Sequence, residues 1–66
     1  MTKQELITSL RSSIGGADFI SLSELARYLG AKDPYKVKRK YLLSLNRIGK
    51  KYFIKDVAAE LIKHMN

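Results

Sequence analysis

The feature of this sequence that most restricts its fold is a helix-start signal that occurs twice. The T-x-x-E of residues 2–5 and the S-x-x-E of residues 21–24 are capping boxes. In each, the hydroxyl and the carboxylate accept hydrogen bonds from backbone N–H groups that would otherwise be unpaired. Glycine follows each stretch, and glycine adopts the left-handed conformation that ends helices without steric penalty. The two helices predicted in this way are residues 3–14 and 22–29.

Length and composition limit how the core can be built. The chain has 66 residues, no cysteine and one histidine, so disulfides and clusters of metal-ligating side chains are excluded. We therefore expect a single domain, residues 1–66, with a purely hydrophobic core. The residues predicted by their helical spacing to face this core are Leu6, Ile7, Leu10 and Ile14; Leu22, Leu25, Ala26 and Leu29; Val37, Tyr41, Leu42 and Leu45; and Val57, Ala58, Leu61, Ile62 and Met65.

Two more helices are predicted in the second half of the chain. Asp33 can cap a third helix, residues 33–45, whose first position is Pro34, where the missing N–H has no cost. The last helix, residues 56–64, begins with an acidic residue and ends with Lys63 and His64, which favours its dipole.

The β structure is predicted to be small. Phe19 and Ile20 suit a short strand before the second helix, and residues 46–54 suit a β-hairpin whose tight turn uses Gly49. Tyr52 and Ile54 share one face of this hairpin and Phe53 lies on the other. The pattern leaves open which face is buried.

The net charge is concentrated in one segment. Between Lys32 and Lys51 stand eight basic residues and one acidic residue, Asp33, so this segment carries the whole formal charge of +7. The acidic and basic residues elsewhere balance each other. A positive field of one sign raises the local concentration of polyanions, and nucleic acid is the commonest of these.

The order helix, strand, helix, helix, hairpin, helix resembles a winged helix-turn-helix DNA-binding domain, a mainly α fold with a small β-hairpin. From residue 19 to 65 the chain is similar to the small excisionase and MerR-type regulator family. The stretches that carry the resemblance are S-L-S-E-L-A-R-Y-L-G (21–30), the basic third helix, and G-K-K-Y-F-I (49–54) leading into D-V-A-A-E-L-I (56–62). The chain departs from the family in one extra residue between Gly30 and Val37 and in its first helix, which the shortest excisionases lack.

The resemblance implies where double-stranded DNA would bind. The third helix would enter the major groove, and the hairpin would be a wing on the backbone or minor groove. The residues predicted to contact DNA are Tyr35, Lys36, Arg39, Lys40 and Leu43 on the third helix; Arg47, Lys50 and Lys51 in the wing; and Ser23, Arg27 and Tyr28 on the second helix, as phosphate donors. Arg39 is the best candidate for a bidentate guanine contact, while the lysines suit phosphates.

Two roles follow from the resemblance, and the sequence does not separate them. One is an excisionase-like recombination directionality factor, which would add an integrase or further copies of the chain as partners on DNA. The other is a small transcriptional regulator. The alternative from another class is a winged-helix module that docks an acidic protein through Leu43, Tyr35 and Phe53. Membrane-surface binding is a weaker third, because Val37, Tyr41 and Leu45 are needed in the core.

Catalysis is not expected, because each acidic residue has a local structural interpretation and none is left to form an acid–base pair. We predict no catalytic residue, metal, cofactor or small-molecule substrate. His64 is interpreted as a surface residue at a helix end. The apolar runs are too short to span a bilayer, and MTKQELITSL does not look like a secretory signal. A cytoplasmic, nucleoid-associated location is the resulting expectation.

Overall fold

The computed structural model describes residues 2–65, which form four helices and a two-stranded antiparallel sheet. In chain order the elements are α1 (Lys3–Ser13), β1 (Phe19–Ser21), α2 (Leu22–Leu29), α3 (Pro34–Val37) continued by a π-helical segment (Lys38–Leu42), β2 (Lys51–Phe53) and α4 (Ile54–Met65). We call α3 and the π segment together the third helix, residues 34–42. The predicted mainly α-helical composition with a small antiparallel sheet is confirmed. Across residues 2–65, every helix is too short or too polar to cross a lipid bilayer.

Both capping boxes form as predicted. The Glu5 N–H donates to the Thr2 hydroxyl at 3.1 Å, and the Thr2 N–H donates to the Glu5 carboxylate at 2.9 Å. The second box has the same two distances between Ser21 and Glu24. Helix α2 then ends at Gly30, whose φ of 71° is left-handed. The starts of α1 and α2 and the end of α2 are therefore decided by local hydrogen bonds and one flexible backbone position.

The core lies between α1, α2, the third helix and α4, with one residue from each strand added. Its buried members are Leu6, Ile7, Leu10, Ile20, Leu25, Ala26, Val37, Leu42, Tyr52, Ile54, Val57, Ala58 and Leu61, with Ile14, Leu22, Tyr28, Ala31, Tyr41, Leu45 and Ile62 half-buried against them. The assignment of Leu29 to the core is wrong, since this last residue of α2 is 38% exposed. Gly30 turns the chain immediately after it. The side chain of Met65 lies outside the described residues.

The sheet pairs β1 with β2 and resolves the question of the buried face. Ile20 lies opposite Tyr52, and both are buried, whereas Phe19 lies opposite Phe53 on the other face. The two phenylalanine rings are 5.4 Å apart between centroids. Ile54, also buried, begins α4, so that helix starts earlier than the predicted residue 56.

The predicted hairpin of residues 46–54 is wrong in its extent. Only one bridge remains, in which the Ile48 N–H donates to the Lys51 carbonyl at 2.8 Å and the Lys51 N–H returns to the Ile48 carbonyl at 3.1 Å. Gly49 between them has a φ of 63°, as expected for a tight turn. The chain before residue 46 is still leaving the third helix, because Leu45 packs against the core. Strand β2 pairs with β1, so residues 46–48 contribute the single bridge and no second hairpin strand.

The third helix is shorter than the predicted residues 33–45 and changes its winding. Lys38–Leu42 is π-helical, and the Leu45 N–H then donates to the Leu42 carbonyl in a turn at 3.0 Å. In an α-helix, residues five apart differ by about 140° around the axis. The wider π turn brings such residues closer to one face, and Val37 and Leu42 are accordingly both buried.

Candidate nucleic-acid interface

The start of the third helix is held by Asp33. Its carboxylate accepts a hydrogen bond from the Tyr35 N–H at 3.0 Å, and Pro34 occupies the first helical position, as predicted. One side of the helix then packs through Val37 and Leu42 into the core. This packing determines which side chains the helix presents to solvent.

The five side chains predicted to face DNA are all exposed. Tyr35, Lys36, Arg39 and Lys40 lie on the third helix, and Leu43 directly follows its last residue. Tyr35 is 69% and Leu43 73% exposed, unusually high fractions for large apolar side chains. Tyr35, Arg39 and Leu43 follow one another at intervals of four residues. The helix therefore presents a strip of mixed character, with lysines beside an aromatic ring, a guanidinium and an aliphatic group.

Two further contacts define the edge of this surface. The Lys40 ammonium lies 5.2 Å from the centroid of the Tyr41 ring, and that ring meets His64 of α4 edge to face at 4.9 Å. The contact with His64 has no signal in the sequence, because it joins residues from separate helices. Tyr41 thus links an exposed lysine of the third helix to the end of α4.

The basic turn, residues 47–51, presents the predicted wing residues. Arg47, Lys50 and Lys51 are all exposed. Lys51 is the first residue of β2 and lies opposite Ser21, the residue that caps α2. Strand pairing therefore brings the end of the basic turn beside the beginning of α2.

The second-helix residues separate into two environments. Ser23 and Arg27 are exposed, but Tyr28 is half-buried against the core and its hydroxyl shares a 2.6 Å hydrogen bond with the Ser9 hydroxyl of α1. Tyr28 therefore joins α2 to α1 instead of standing free on the outer face. The groove that it shares with Arg27 is lined by residues of α1 and α2 and by Ile14, and by none from the third helix or the basic turn.

The electrostatics of the surface are set by unpaired basic residues. Within residues 2–65, ion pairs join Arg11 to Asp18 and Lys63 to Glu60, and none involves the third helix or the basic turn. These two pairs neutralise charge elsewhere on the molecule. The positive field of residues 32–51 is therefore left uncompensated by any such pair in the described part of the chain.

The glutamates serve structural hydrogen bonds. Donation from the Ser21 N–H lowers the pKa of Glu24, and the nearby charges of Lys51 and Arg27 lower it further. The Thr2 N–H lowers the pKa of Glu5, and the hydrogen bond from Lys63 lowers that of Glu60. Each carboxylate is thus ionised at neutral pH. The described residues contain no group of three acidic, histidine or cysteine side chains arranged to hold a metal ion.

Comparison of the chain with protein-family models, with curated proteins and with solved structures finds no match.

Proposed function

We propose that this chain is a winged-helix protein that binds double-stranded DNA, with the third helix in the major groove and the basic turn as a short wing on the backbone or minor groove. The observation that supports this best is the segregation of charge. The third helix buries Val37 and Leu42 and exposes Lys36, Arg39 and Lys40, and the basic turn that follows it adds three more cations. DNA is the polyanion that such an exposed basic helix fits.

The side chains suggest how affinity and specificity would be divided. Lysines act on phosphates as point charges, whereas Arg39 has the planar fork that reads guanine O6 and N7. With one strong base reader and many phosphate binders, we expect steep salt dependence and moderate specificity. If one copy neutralises about five phosphates, the logarithm of the binding constant falls with the logarithm of salt concentration at a slope of roughly −4 to −5.

Two biological roles suit this mode of binding. An excisionase-like recombination directionality factor would act beside an integrase, or as several copies on DNA, and a small transcriptional regulator would act near a promoter. Several copies, or a partner, would supply the specificity that one basic helix lacks. An adjacent integrase gene would favour the first role, and a divergent promoter the second.

A titration with a random-sequence duplex at two salt concentrations, followed by amide NMR shifts, tests the proposal. We expect shifts at residues 35–43 and 47–51 that weaken steeply with salt. The absence of shifts at low salt would overturn it.

A matched pair of variants makes the test independent of net charge. Lys36→Ala/Lys40→Ala removes two cations from the third helix, and Lys3→Ala/Lys55→Ala removes two exposed cations elsewhere. We expect the first pair to reduce the salt slope by about two and the second to leave it almost unchanged. Equal losses would show that binding does not use the third helix.

One observation favours a second candidate function, a protein-interaction module that docks an acidic partner on the same helix. Tyr35 and Leu43 are exposed enough to act as apolar anchors. Phe53 is less suited to this role than the sequence indicates, because it is half-buried against Phe19. Loss of partner binding on Leu43→Ala, with DNA binding absent, would select this function.

A further inference from the structure

A second surface, which shares Lys50 and Lys51 with the basic turn but contains no residue of the third helix, has the character of a binding groove. It is an open groove of about 460 Å³ lined by Ala17, Phe19, Ile48, Lys50 and Lys51. Phe19 is 37% and Ile48 59% exposed. The two side chains come from segments far apart in the sequence and meet here because β2 pairs with β1. Adjacent exposed apolar side chains with a polar rim are typical of interaction sites.

The apolar walls of the groove are held in place. The Phe19 ring packs against Phe53, its partner across the sheet. The backbone of Ile48 is held by its paired hydrogen bonds with Lys51 across the Gly49 turn. A ligand would therefore meet a surface that is already organised, which reduces the entropy lost on binding.

The rim of the groove is positive. Lys50 and Lys51 are exposed, and neither forms an ion pair within residues 2–65. The Glu24 carboxylate lies near Lys51 but accepts its hydrogen bond from the Ser21 N–H, and Asp18 pairs with Arg11, so neither carboxylate forms an ion pair with the rim. A second copy of the chain is a poor occupant, because two molecules of charge +7 repel each other.

We propose that this groove binds an acidic segment of a partner protein, which inserts one large apolar side chain between Phe19 and Ile48 and places flanking carboxylates on Lys50 and Lys51. Ile48 and Ala17 give the groove aliphatic walls beside the Phe19 ring, and these walls complement an apolar side chain. The inference goes beyond DNA binding, and it requires no nucleic acid.

The probe for this proposal is the unlabelled peptide acetyl-DEDFDED-amide, titrated into the protein without DNA. We expect amide shifts at residues 17–19 and 48–51. The control peptide acetyl-DEDADED-amide should bind at least about tenfold more weakly, because it lacks the large apolar side chain. Equal affinity of the two peptides, or shifts confined to the third helix, would overturn the proposal.

Two variants test whether the peptide binds in the groove. Ile48→Glu places a negative charge in the groove at an exposed turn position, and we expect peptide binding to weaken more than about tenfold. Leu29→Glu makes the same change of charge at an exposed position of α2 and should leave peptide affinity almost unchanged. Thermal unfolding checks that each variant is folded.

A competition experiment between the peptide and an oligothymidine of eight nucleotides distinguishes an acidic peptide from a nucleic acid as the ligand of the groove. If the oligonucleotide binds more tightly than the peptide and shifts Ala17 and Phe19, the groove residues that lie outside the proposed wing, the groove is a nucleic-acid site and the proposal is wrong. If the duplex titration described above gave no shifts, the peptide result would still stand, because the peptide measurement contains no DNA.

Discussion

Tyr41 and His64 meet edge to face, with ring centroids 4.9 Å apart, and so connect the third helix to the end of α4. Tyr41 belongs to the π segment, so this contact packs one side of the segment against α4, while the opposite side of the segment faces solvent. Aromatic pairs of this geometry contribute beyond the area that they bury. The orientation of the candidate DNA-binding helix therefore depends partly on a residue of the last helix.

His64→Ala should lower the free energy of unfolding by about 0.5–1.5 kcal/mol, because the edge-to-face contact is lost. Urea denaturation measures this change. Lys55→Ala, an exposed substitution at the other end of α4, is the control and should change stability by less than about 0.5 kcal/mol. Equal stabilities of the His64 variant and the parent chain would contradict the structural role of the contact.

Ser21→Ala should destabilise the protein by about 0.5–2 kcal/mol, since the Glu24 N–H loses the hydroxyl that caps it. Ser23 is exposed two residues later and makes a suitable control, because Ser23→Ala removes the same hydroxyl without removing a cap. Chemical denaturation of the two variants side by side checks the prediction. A larger loss for the Ser23 variant would be incompatible with the capping box.

Leu10→Ala should cost about 2–5 kcal/mol, because Leu10 is fully buried and its replacement leaves a cavity. Leu29→Ala makes the same chemical change at an exposed position and should cost much less. Denaturation midpoints of the two variants compare them directly. Similar losses would mean that Leu29 belongs to the core after all.

Acid should weaken the fold through three glutamates. The pKa values of Glu5, Glu24 and Glu60 are lower in the folded chain than the ordinary value of 4.5. A carboxyl with a depressed folded pKa adds stability above its unfolded pKa, and that stability is lost as pH falls through the folded pKa. Below about pH 4.5, the protein should therefore lose stability progressively as its carboxylates protonate.

The triple variant Glu5→Gln/Glu24→Gln/Glu60→Gln tests the origin of this loss. Glutamine cannot protonate in this range. The stability of the triple variant should therefore fall less between about pH 6 and pH 3 than the stability of the parent chain. Thermal unfolding across this range gives both profiles. Parallel profiles would assign the acid sensitivity to other groups.

Arg39→Ala should weaken binding to a cognate DNA site by about 1–3 kcal/mol and relax the preference at one base position, if Arg39 reads guanine. Arg39→Lys keeps the charge but loses the bidentate geometry, so it should relax specificity while retaining more of the non-specific affinity. Binding-site selection followed by titration measures both effects. Uniform weakening across all sequences would instead make Arg39 a phosphate contact.

The sequence by itself determined the local features of this protein. The predicted features that are present are the caps of Thr2 and Ser21, the end of α2 at Gly30, the start of the third helix at Pro34 and the exposed basic side of that helix. These features depend on hydrogen bonds and spacings within a few residues. Such interactions can be predicted from the sequence because the residues that form them are neighbours in the chain.

Only the tertiary structure decided which distant segments meet. Strand β2 pairs with β1 rather than extending a hairpin, and this pairing turns Tyr52 inward and leaves Phe19 beside the basic turn. The π segment and the exposure of Leu29 were likewise seen only in the tertiary structure. The alternation of side chains along a short strand defines two faces but not its partner, since the partner depends on the space left by the packed helices.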